Sequence, residues 1–563
     1  MSTDFKGKFS SLIFYSKSAT LLNIEFKKYI PVKNLLKVIG GLLLLIIIGL
    51  LIWFRSNLKD RTPGYNADLK IINRKISPLK TGFAAQTITP VVPDRWNDLN
   101  SDAEYNPKDG DAFTDGNGNG IFDPVWIAGF GNRRAANGIH DDLWARTMVV
   151  DDGRTRLAIV VLDAIGLMYD GVIDVRNRIP DDAGITYTLI ASTHTHEGPD
   201  MLGLWGKSPL KSGINEEYLE YVKSQVVESV VAAVKNMRPA VLEISEDLTG
   251  AAHLVRDTRQ PEVYDSGLRL IKAVDKENGN TLGSLIAWAD HPETLWGKNL
   301  LITSDFPHYV REGVEKGVFN GDTLVKPGIG GIAVYVNGAI GGLMTTHPSL
   351  AVKDPFTGKE FSEPAFEKAE AQGKQVALLA LAAMGNPVER IDSACISLIV
   401  RTLPLPIDNK LFKLGSLLGL FNRGTTGRMN MRSELSVFTL GPLAFATLPG
   451  EVYPEIINGG IESPEGRDFP VSPVEIPPVR DMMKGDYKFI FGLANDEIGY
   501  IIPKSQWDVK DPYTYGRNDS PYGEENSLGS ETASILHSAL KEMLNELNRE
   551  EEHPLSVSPK GEM

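Results

Sequence analysis

Residues 193–199 read Thr-His-Thr-His-Glu-Gly-Pro and follow residues 187–191, a short apolar run rich in strand-forming residues. Two histidines at positions i and i+2 of a strand end, here His194 and His196, point to the same side. Neutral imidazoles that converge on one point are typical zinc ligands. The pair therefore predicts a metal site at the end of a buried strand. The alternative interpretation is two hydrogen-bonded histidines on a surface turn.

Composition narrows the class of protein. The 563 residues carry a formal net charge of −14, and the pI is near 5.3. This balance argues against nucleic acid as a partner, because phosphate binding needs a basic face. The single cysteine, Cys395, leaves no internal disulfide framework and no zinc–thiolate cluster. Any metal must then be held by His, Asp, Glu or Tyr.

An apolar run near the N-terminus predicts a membrane anchor. Residues 38–54 are uncharged and apolar, and Leu35 and Leu36 extend the run beyond Lys37. Lysines before the run outnumber the basic residues close behind it, which places the N-terminus in the cytoplasm by the positive-inside rule. The run ends in Trp53-Phe54-Arg55 rather than in small residues, so an uncleaved anchor is favoured over a signal peptide.

The predicted organisation follows from this anchor. From residue 81 onward, apolar strand-like runs alternate with amphipathic helices, a pattern typical of an α/β domain. The clearest predicted helices cover residues 216–237, 364–384 and 530–548. We predict a cytoplasmic segment (1–34), a single-pass transmembrane helix (35–55), a linker (56–80), a periplasmic or extracellular domain (81–549) and a disordered tail (550–563).

Polar, chemically capable side chains follow six of the predicted strands. In α/β folds the loops at the carboxyl ends of strands build the site, so we expect these residues to meet in one metal-centred cleft. They are Asp163, His194 and His196, Asp290 and His291, Asn337, Glu451, and Asn495 with Asp496 and Tyr500.

A doubled motif at residues 98–124 predicts two calcium-binding loops. Oxygen-bearing side chains recur at positions 1, 3, 5 and 9 of two copies, and the second copy has a glycine at position 6, as in calcium loops. Both copies lack the glutamate expected at position 12, and a Gly/Asn-rich turn without an ion is the alternative. The predicted calcium ligands are Asp98, Asn100, Asp102 and Asn106 in the first copy, and Asp115, Asn117, Asn119 and Asp123 in the second.

Six short motifs, in order along the chain, resemble those of the neutral (non-lysosomal) ceramidases. The resemblance covers about residues 82–547. The motifs are Thr193-His-Thr-His-Glu-Gly-Pro199, Gly82-Phe-Ala-Ala-Gln-Thr-Ile-Thr89, Gly138-Ile-His140 through Arg146, Trp288-Ala-Asp-His291-Pro292, Leu448-Pro-Gly-Glu451, and Gly492-Leu-Ala-Asn495 through Tyr500.

The resemblance implies a fold and a site. It implies an α/β ceramidase-like catalytic domain of layered sheets covered by helices, and zinc held by His194, His291, Glu451 and Tyr500. His196 would then move the proton between the attacking water and the leaving amine. Arg256 resembles a residue of the loop that faces the polar end of the substrate, and His140 is expected at the same cleft.

Two departures from the family pattern are visible. Gly342 stands where the family has a functionally important serine, although Thr345 and Thr346 are near. The chain also stops where the family's catalytic region stops, without the C-terminal immunoglobulin-like domain, and carries the N-terminal apolar run instead. Metal-assisted hydrolysis does not depend on that serine, whereas recognition of a ceramide hydroxyl does.

Three functions remain open from the sequence. The favoured one is a membrane-anchored, zinc-dependent amidase of ceramidase type that acts in sphingolipid or other N-acyl lipid metabolism. The others are a non-catalytic binding or scaffolding ectodomain and an esterase with another substrate. Residues 410–421, which are apolar with lysines at 410 and 413, predict either an interfacial helix that admits lipid or a buried core segment.

Overall fold

The computed structural model describes residues 32–342, 344–348, 350–427 and 429–552. Most of the predicted cytoplasmic segment (1–31) and most of the predicted tail (553–563) lie outside the described residues. The chain divides into two compact units, Met1–Trp53 and Phe54–Met563. The described part of the first unit is helical, and residues Leu36–Asn57 are long and apolar enough to cross a membrane, with a mean hydropathy of 2.6.

The helices are α1 (Val32–Asn57), α2 (Tyr169–Arg178), α3 (Glu216–Lys235), α4 (Phe306–Lys316), α5 (Phe366–Met384), α6 (Lys410–Leu418), α7 (Pro454–Asn458), α8 (Val479–Met482), α9 (Tyr522–Glu525) and α10 (Thr532–Glu552). The strands are β1 (Leu69–Ile71), β2 (Ser77–Pro78), β3 (Lys80–Thr87), β4 (Arg95–Asn97), β5 (Ala112–Thr114), β6 (Trp144–Asp151), β7 (Arg156–Leu162), β8 (Tyr187–Ser192), β9 (Arg238–Asp247), β10 (Leu268–Asp275), β11 (Thr281–Ala287), β12 (Gly317–Asn320), β13 (Thr323–Pro327), β14 (Ile332–Val336), β15 (Val352–Lys353), β16 (Glu360–Phe361), β17 (Glu389–Ile391), β18 (Ser393–Ala394), β19 (Ile396–Pro406), β20 (Asn430–Leu440), β21 (Leu443–Thr447), β22 (Glu451–Val452), β23 (Tyr487–Phe491) and β24 (Tyr500–Ile501).

Two mixed sheets form the centre of the second unit. The larger has the strand order β14-β11-β10-β9-β3-β6-β7-β8, with β17 also paired to β9. The smaller has the order β1-β19-β20-β21-β23. Strand β1 comes from within residues 56–80, which the sequence predicts to be a linker, and Leu69 pairs with Val400.

The sheets pack face to face and carry helices on their outer faces. Strand β7 shows why the sequence has continuous apolar runs: residues 157, 159 and 161 lie in the core between the sheets, and residues 158, 160 and 162 pack under α2 and α3. Helices α4 and α5 cover the other half of the larger sheet, and α7, α8 and α10 cover the smaller sheet. The result is a four-layer arrangement of helices, sheet, sheet and helices, in which both faces of each sheet are buried.

The larger sheet curls so that its two ends meet. Asn337, directly after β14, donates from Nδ2 to the carbonyl of Thr193, directly after β8, at 2.9 Å. The segment after β23 joins the same place, since Gly492 N donates to Asn337 O at 3.1 Å and Ala494 pairs with Ala191. The carboxyl ends of β8, β11, β14, β21 and β23 therefore share one centre.

Candidate metal centre

Two histidines are oriented by backbone carbonyls so that their Nε2 atoms face one point. The Nδ1 of His194 lies 2.6 Å from Ile165 O, and the Nδ1 of His291 lies 2.8 Å from Met344 O. A carbonyl oxygen only accepts, so each Nδ1 carries the proton and each Nε2 of a neutral ring keeps its lone pair. Burial lowers the pKa of His194 to about 4, which keeps this ring neutral. Both rings are suited to bind a metal through Nε2.

The backbone that presents the first histidine is not a strand. Strand β8 ends at Ser192, and His194 has a left-handed conformation with a φ of 69°. The expected strand alternation is therefore not what brings His194 and His196 together. A tight turn does so instead, and their ring centroids lie 5.0 Å apart.

A carboxylate and a phenol complete the group. Strands β22 and β24 pair in parallel and set Glu451 beside Tyr500. Glu451 Oε2 lies 2.9 Å from His291 Nε2 and 3.6 Å from His194 Nε2, and the phenol of Tyr500 is hydrogen-bonded to the same carboxyl group. Burial alone would raise the pKa of Glu451, but the two histidines and these hydrogen bonds hold it below its usual value.

The donor set fits a cation. His291 faces an oxygen acceptor at each ring nitrogen, and a neutral imidazole has only one N–H to give. The ring must either be charged or direct its Nε2 lone pair at a cation that the Glu451 carboxylate shares. Two imidazoles, a carboxylate and a phenol form a ligand set that zinc accepts, with room for a further ligand. A second grouping is also present, since ligand atoms of His194, His196 and His291 all lie within 4.8 Å of one another.

His196 differs from the other two histidines because neither of its ring nitrogens has a hydrogen-bond partner although both are buried. Its ring is wedged against Gly129, where an added Cβ would lie 2.5 Å from the His196 Cγ. Phe130 packs on the same ring at a centroid distance of 5.1 Å. Burial lowers the pKa of His196 well below its ordinary value, so the ring is neutral. A buried imidazole with two free nitrogens is placed to exchange a proton or to bind an ion.

Part of this group of side chains lines a cavity of about 500 Å³. Its lining combines His196, His291 and Tyr500 with the aromatic residues Phe130, Trp296 and Tyr522. Among the described residues that line it there is no lysine or arginine, and its one carboxylate belongs to Glu293. Such a cavity suits a largely apolar, uncharged ligand that carries hydrogen-bonding groups.

Glu293 is a functional candidate that the sequence reasoning missed. Its Oε1 accepts a hydrogen bond from Thr345 Oγ1, and its Oε2 lies 3.5 Å from His196 Nδ1. Burial raises the pKa of its carboxyl group. The signal in the sequence was the same i, i+2 spacing that drew attention to His194 and His196, here in His291-Pro-Glu293.

The two other predicted catalytic residues lie elsewhere. Arg256 is exposed, its backbone pairs with Thr345, and its charge helps to lower the pKa of His347, which lines the cavity. Arg256 is therefore close to the rim. His140 is not among the lining residues: it is exposed, lies 2.9 Å from Asp141 Oδ2 and stacks on Phe366 at 3.9 Å. His140 thus lies outside the described lining of this cavity, and its catalytic role stays a prediction.

Several of the predicted strand-end residues form hydrogen bonds and ion pairs that fix the turns around the site. Asn337 bridges the ends of β8 and β11, because its Nδ2 donates to Thr193 O and Asp290 O at 2.9 Å each. Asn495 fixes β8 through Ile190 N at 2.9 Å. Asp163 and Asp496 are bound by Arg311 and Arg423 respectively, all buried. These residues position the turns that carry the histidines.

A side chain at position 342 would press on a neighbouring carboxylate. A Cβ built there would lie 3.0 Å from both carboxylate oxygens of Asp257. Those oxygens accept hydrogen bonds from Arg259 N at 2.9 Å and Val263 N at 2.8 Å. A serine at position 342 would therefore require the Asp257 carboxylate to shift against these hydrogen bonds.

Gly342→Ser is expected to destabilise the protein by about 1–3 kcal/mol, the usual cost of overpacking a buried position. The measurement is the thermal midpoint of the purified chain in detergent. Gly427→Ser is the matched control, because a Cβ at Gly427 meets nothing within 4 Å. An unchanged midpoint for Gly342→Ser would show that Asp257 yields freely and that the site tolerates a hydroxyl there.

The predicted calcium loops form compact turns closed by their own side chains. Asp115 accepts from Gly118 N at 2.6 Å and Gly120 N at 2.7 Å, and Asn117 and Asn119 both donate to Asp123 Oδ2. In the first copy, Asp98 accepts from Asp102 N and Ala103 N, while Asn100 donates to Asp102 and Asn106 donates to Asp109. The oxygen-bearing side chains of each copy therefore converge, and calcium binding stays a prediction.

Comparison with known proteins agrees with the motifs. Residues 119–386 match the family model of the neutral/alkaline non-lysosomal ceramidases, N-terminal region. The neutral ceramidase of Mycobacterium tuberculosis is 28% identical over 211 residues, 33% of this chain and 32% of that protein. The neutral ceramidase of Drosophila melanogaster is 26% identical over 293 residues, 45% of this chain and 41% of that protein. The alignments thus span less than half of these curated relatives, and the resemblance to the family is confirmed.

The fold has a counterpart among solved structures. The crystal structure of neutral ceramidase from Pseudomonas aeruginosa is similar with a TM-score of 0.60 at 16% sequence identity, over 86% of this chain and 77% of that chain. The predicted fold class, layered α/β sheets covered by helices, is confirmed. The family match contains His194 and His291, whereas Glu451 and Tyr500 lie beyond its end.

Proposed function

We propose that this chain is a membrane-anchored, zinc-dependent hydrolase that cleaves the amide bond of an N-acyl lipid. The observation that carries the proposal is the pair of buried Nε2 atoms of His194 and His291 that face the Glu451 carboxylate, in a group of which His291 and Tyr500 also line an aromatic cavity. The resemblance to the neutral ceramidases supports the reaction class, and the cavity lining supports the chemistry proposed for the substrate.

The proposed ligands are His194, His291, Glu451 and Tyr500. Zinc bound there would polarise the substrate carbonyl and lower the pKa of a water molecule toward ~7. The carbonyls of Ile165 and Met344 keep the two imidazoles in the tautomer that this role requires. The aromatic wall formed by Phe130, Trp296 and Tyr522 excludes bulk water from the reacting carbon.

In the proposed reaction, water attacks the amide carbonyl, a C–O bond forms and the C–N bond breaks. His196 accepts a proton from the attacking water at Nε2 and delivers it to the departing nitrogen, which leaves as an amine, while the acyl group leaves as a carboxylic acid. Glu293 positions His196 by accepting from its Nδ1. The separation of 3.5 Å is longer than a hydrogen bond, so this role requires the two groups to move closer when the substrate binds.

The substrate is proposed to be uncharged at the reacting end. The cavity has no lysine or arginine among its described lining residues, so an anionic headgroup would meet Glu293 without a compensating charge. Hydroxyl and amide N–H groups, in contrast, can donate to this carboxylate. Neutral fatty-acyl amides fit this description, whereas ceramide and other N-acyl sphingoid bases fit it only if their hydroxyl groups are bound without the serine that Gly342 replaces.

The direct test uses the full chain purified in detergent with zinc. It is incubated with an N-acyl sphingoid base, a simple fatty-acyl amide and a matched fatty-acyl ester, and fatty acid release is measured. Release from the amides that stops when zinc is chelated and returns when zinc is restored supports the proposal. Stoichiometric zinc without turnover would favour a binding ectodomain, and release from the ester alone would favour an esterase.

The anchor and its orientation are part of the proposal. Residues 35–55 would cross the bilayer once, with residues 1–34 in the cytoplasm and the hydrolase domain in the periplasm or outside the cell. The apolar α1 and the lysine excess before it support this arrangement. Protease digestion or biotin labelling of intact cells would show on which side of the membrane the hydrolase domain lies.

We also propose that the two loops at residues 98–124 bind structural calcium. Excess chelator is expected to lower the thermal midpoint, because a ligand present at a hundredfold its Kd contributes about 2.7 kcal/mol to stability. Asp115→Asn is expected to remove part of the bound calcium. Asp354→Asn is the control, since Asp354 closes a similar turn outside the repeat by accepting from Phe356 N and Thr357 N. Equal calcium content in both variants would contradict the assignment.

A further inference from the structure

Residues 57–60, which follow the apolar run closely, are hydrogen-bonded to other parts of the second unit. Asn57 Nδ2 donates to Leu417 O at 2.7 Å, and Thr425 Oγ1 donates to Leu58 O at 2.8 Å. Asp60 forms an ion pair with Arg432 at 2.6 Å. Residues 57–60, predicted to belong to a linker, are thus bound to residues 417–432, a segment that begins in α6.

This clamp limits the distance between the proposed bilayer surface and α6. The apolar run ends at Phe54, and Asn57 is three residues further along the chain. Even a fully extended chain of three residues spans at most ~11 Å. The end of α6, at Leu417, is therefore held near the point where the apolar run ends.

Helix α6 exposes apolar side chains to solvent near the end of the apolar run. Leu411 is 66% exposed and Leu414 is 48% exposed, and their i, i+3 spacing puts them on one face. Lys410 and Lys413 flank them. The opposite face is held by Phe412, which stacks on Phe421 at 5.5 Å. The exposed leucines are not required to hold the helix in place.

A second loop also exposes a leucine between two lysines. In residues 207–211, Leu210 is 65% exposed between Lys207 and Lys211, and a bridge between Ser208 and Lys211 closes the turn. The segment just before this loop packs near α6, since Leu204, Trp205 and Phe412 pack against the same hydrophobic cluster. Gly203 approaches Leu420 so closely that a Cβ there would lie 2.0 Å from the Leu420 carbonyl oxygen, and Leu202 shares a core with Phe421.

From these contacts we infer that Leu210, Leu411 and Leu414, together with the four lysines beside them, form a surface that rests in the bilayer interface. The leucines would enter the acyl boundary, and the lysines at positions 207, 211, 410 and 413 would meet lipid phosphates. The partner is the membrane in which the proposed anchor sits. The inference rests on that anchor and does not depend on the hydrolase reaction.

Helix α6, which carries most of this surface, packs against residues close in sequence to two that line the cavity. Phe412 of α6 reaches the backbone beside Tyr500, since a Cβ at Gly499 would lie 3.8 Å from its Cζ. Asn409, which caps α6, donates from Nδ2 to Glu525 O at 2.8 Å, three residues from Tyr522. Docking of α6 on the bilayer would hold the cavity next to its lipid substrate.

The test uses the full chain with Cys395→Ser, reconstituted in vesicles of phosphatidylcholine and phosphatidylglycerol. Single cysteines introduced by Leu411→Cys and Leu210→Cys are labelled with a fluorophore. Val388→Cys, at a side chain that is 60% exposed and outside this surface, is the control. We expect lipid-borne nitroxides to quench the first two labels severalfold more than the control, and aqueous iodide to show the opposite order.

The outcomes separate the membrane-facing surface from the anchor. A chain that fails to float with the vesicles overturns both. A chain that floats but whose labels at 411 and 210 respond to iodide as strongly as the label at 388 overturns the surface alone. Labels shielded from both quenchers would mean that protein, such as a second copy of the chain, covers the leucines, and this too overturns the membrane contact.

Discussion

His194→Ala is expected to abolish zinc binding and to lower amide hydrolysis by at least ~10³-fold, because a metal at such a site supplies several kcal/mol of charge stabilisation. The variant removes one of two imidazoles whose Nε2 atoms face Glu451, and three donors of mixed type hold the ion far less tightly. Zinc content by elemental analysis and fatty acid release from the same sample are the two measurements.

Two other histidines serve as matched variants for this experiment. His140→Ala should keep both zinc and activity, because His140 is exposed and stacks on Phe366 outside the cavity. His196→Ala should keep zinc and lose activity, because the proposed ligand set does not include it. If His196→Ala loses zinc as fully as His194→Ala, the ion is held by the three histidines within 4.8 Å of one another, and the assignment of Glu451 and Tyr500 is wrong.

Local patterns in the sequence predicted much of the secondary structure. The apolar run at residues 157–162 was correctly predicted to be a strand, and its continuous apolar character reflects two buried faces of β7. The predicted helices at 216–237 and 364–384 match α3 and α5 to within two residues at each end. Such features depend on neighbours a few residues away, which is why periodicity reveals them.

The arrangement of the site could not be derived in this way. His194 and His291 meet because the larger sheet curls until β8 and β14, at opposite ends of its strand order, are joined through Asn337. That contact spans more than a hundred residues of chain and leaves no local pattern. The left-handed turn at His194 and the Asp257 carboxylate beside Gly342 are likewise set by tertiary packing. Strand-end position brought Glu451 and Tyr500 into consideration, but only resemblance to a family singled them out as metal ligands.

Glu293→Gln is expected to lower kcat by about 10²–10⁴-fold while zinc content and KM stay close to those of the parent chain. The substitution keeps the size of the side chain and its place beside Thr345, but an amide does not hold the His196 Nδ1–H as a carboxylate does. In the proposed reaction the ring then lacks the carboxylate that would fix its tautomer, so fewer molecules present the Nε2 lone pair to the attacking water. Because the ring stays in place, substrate binding changes less than turnover.

The choice of controls decides what role Glu293 has. Glu312→Gln removes an exposed carboxylate on α4 and should change nothing. Glu293→Asp should recover part of the lost kcat, since it restores the charge at a somewhat greater distance from His196. A loss of zinc in Glu293→Gln would make Glu293 a support of the metal ligands instead, because it is two residues from His291. An unchanged kcat would remove the carboxylate from the mechanism and leave His196 to act without a partner at Nδ1.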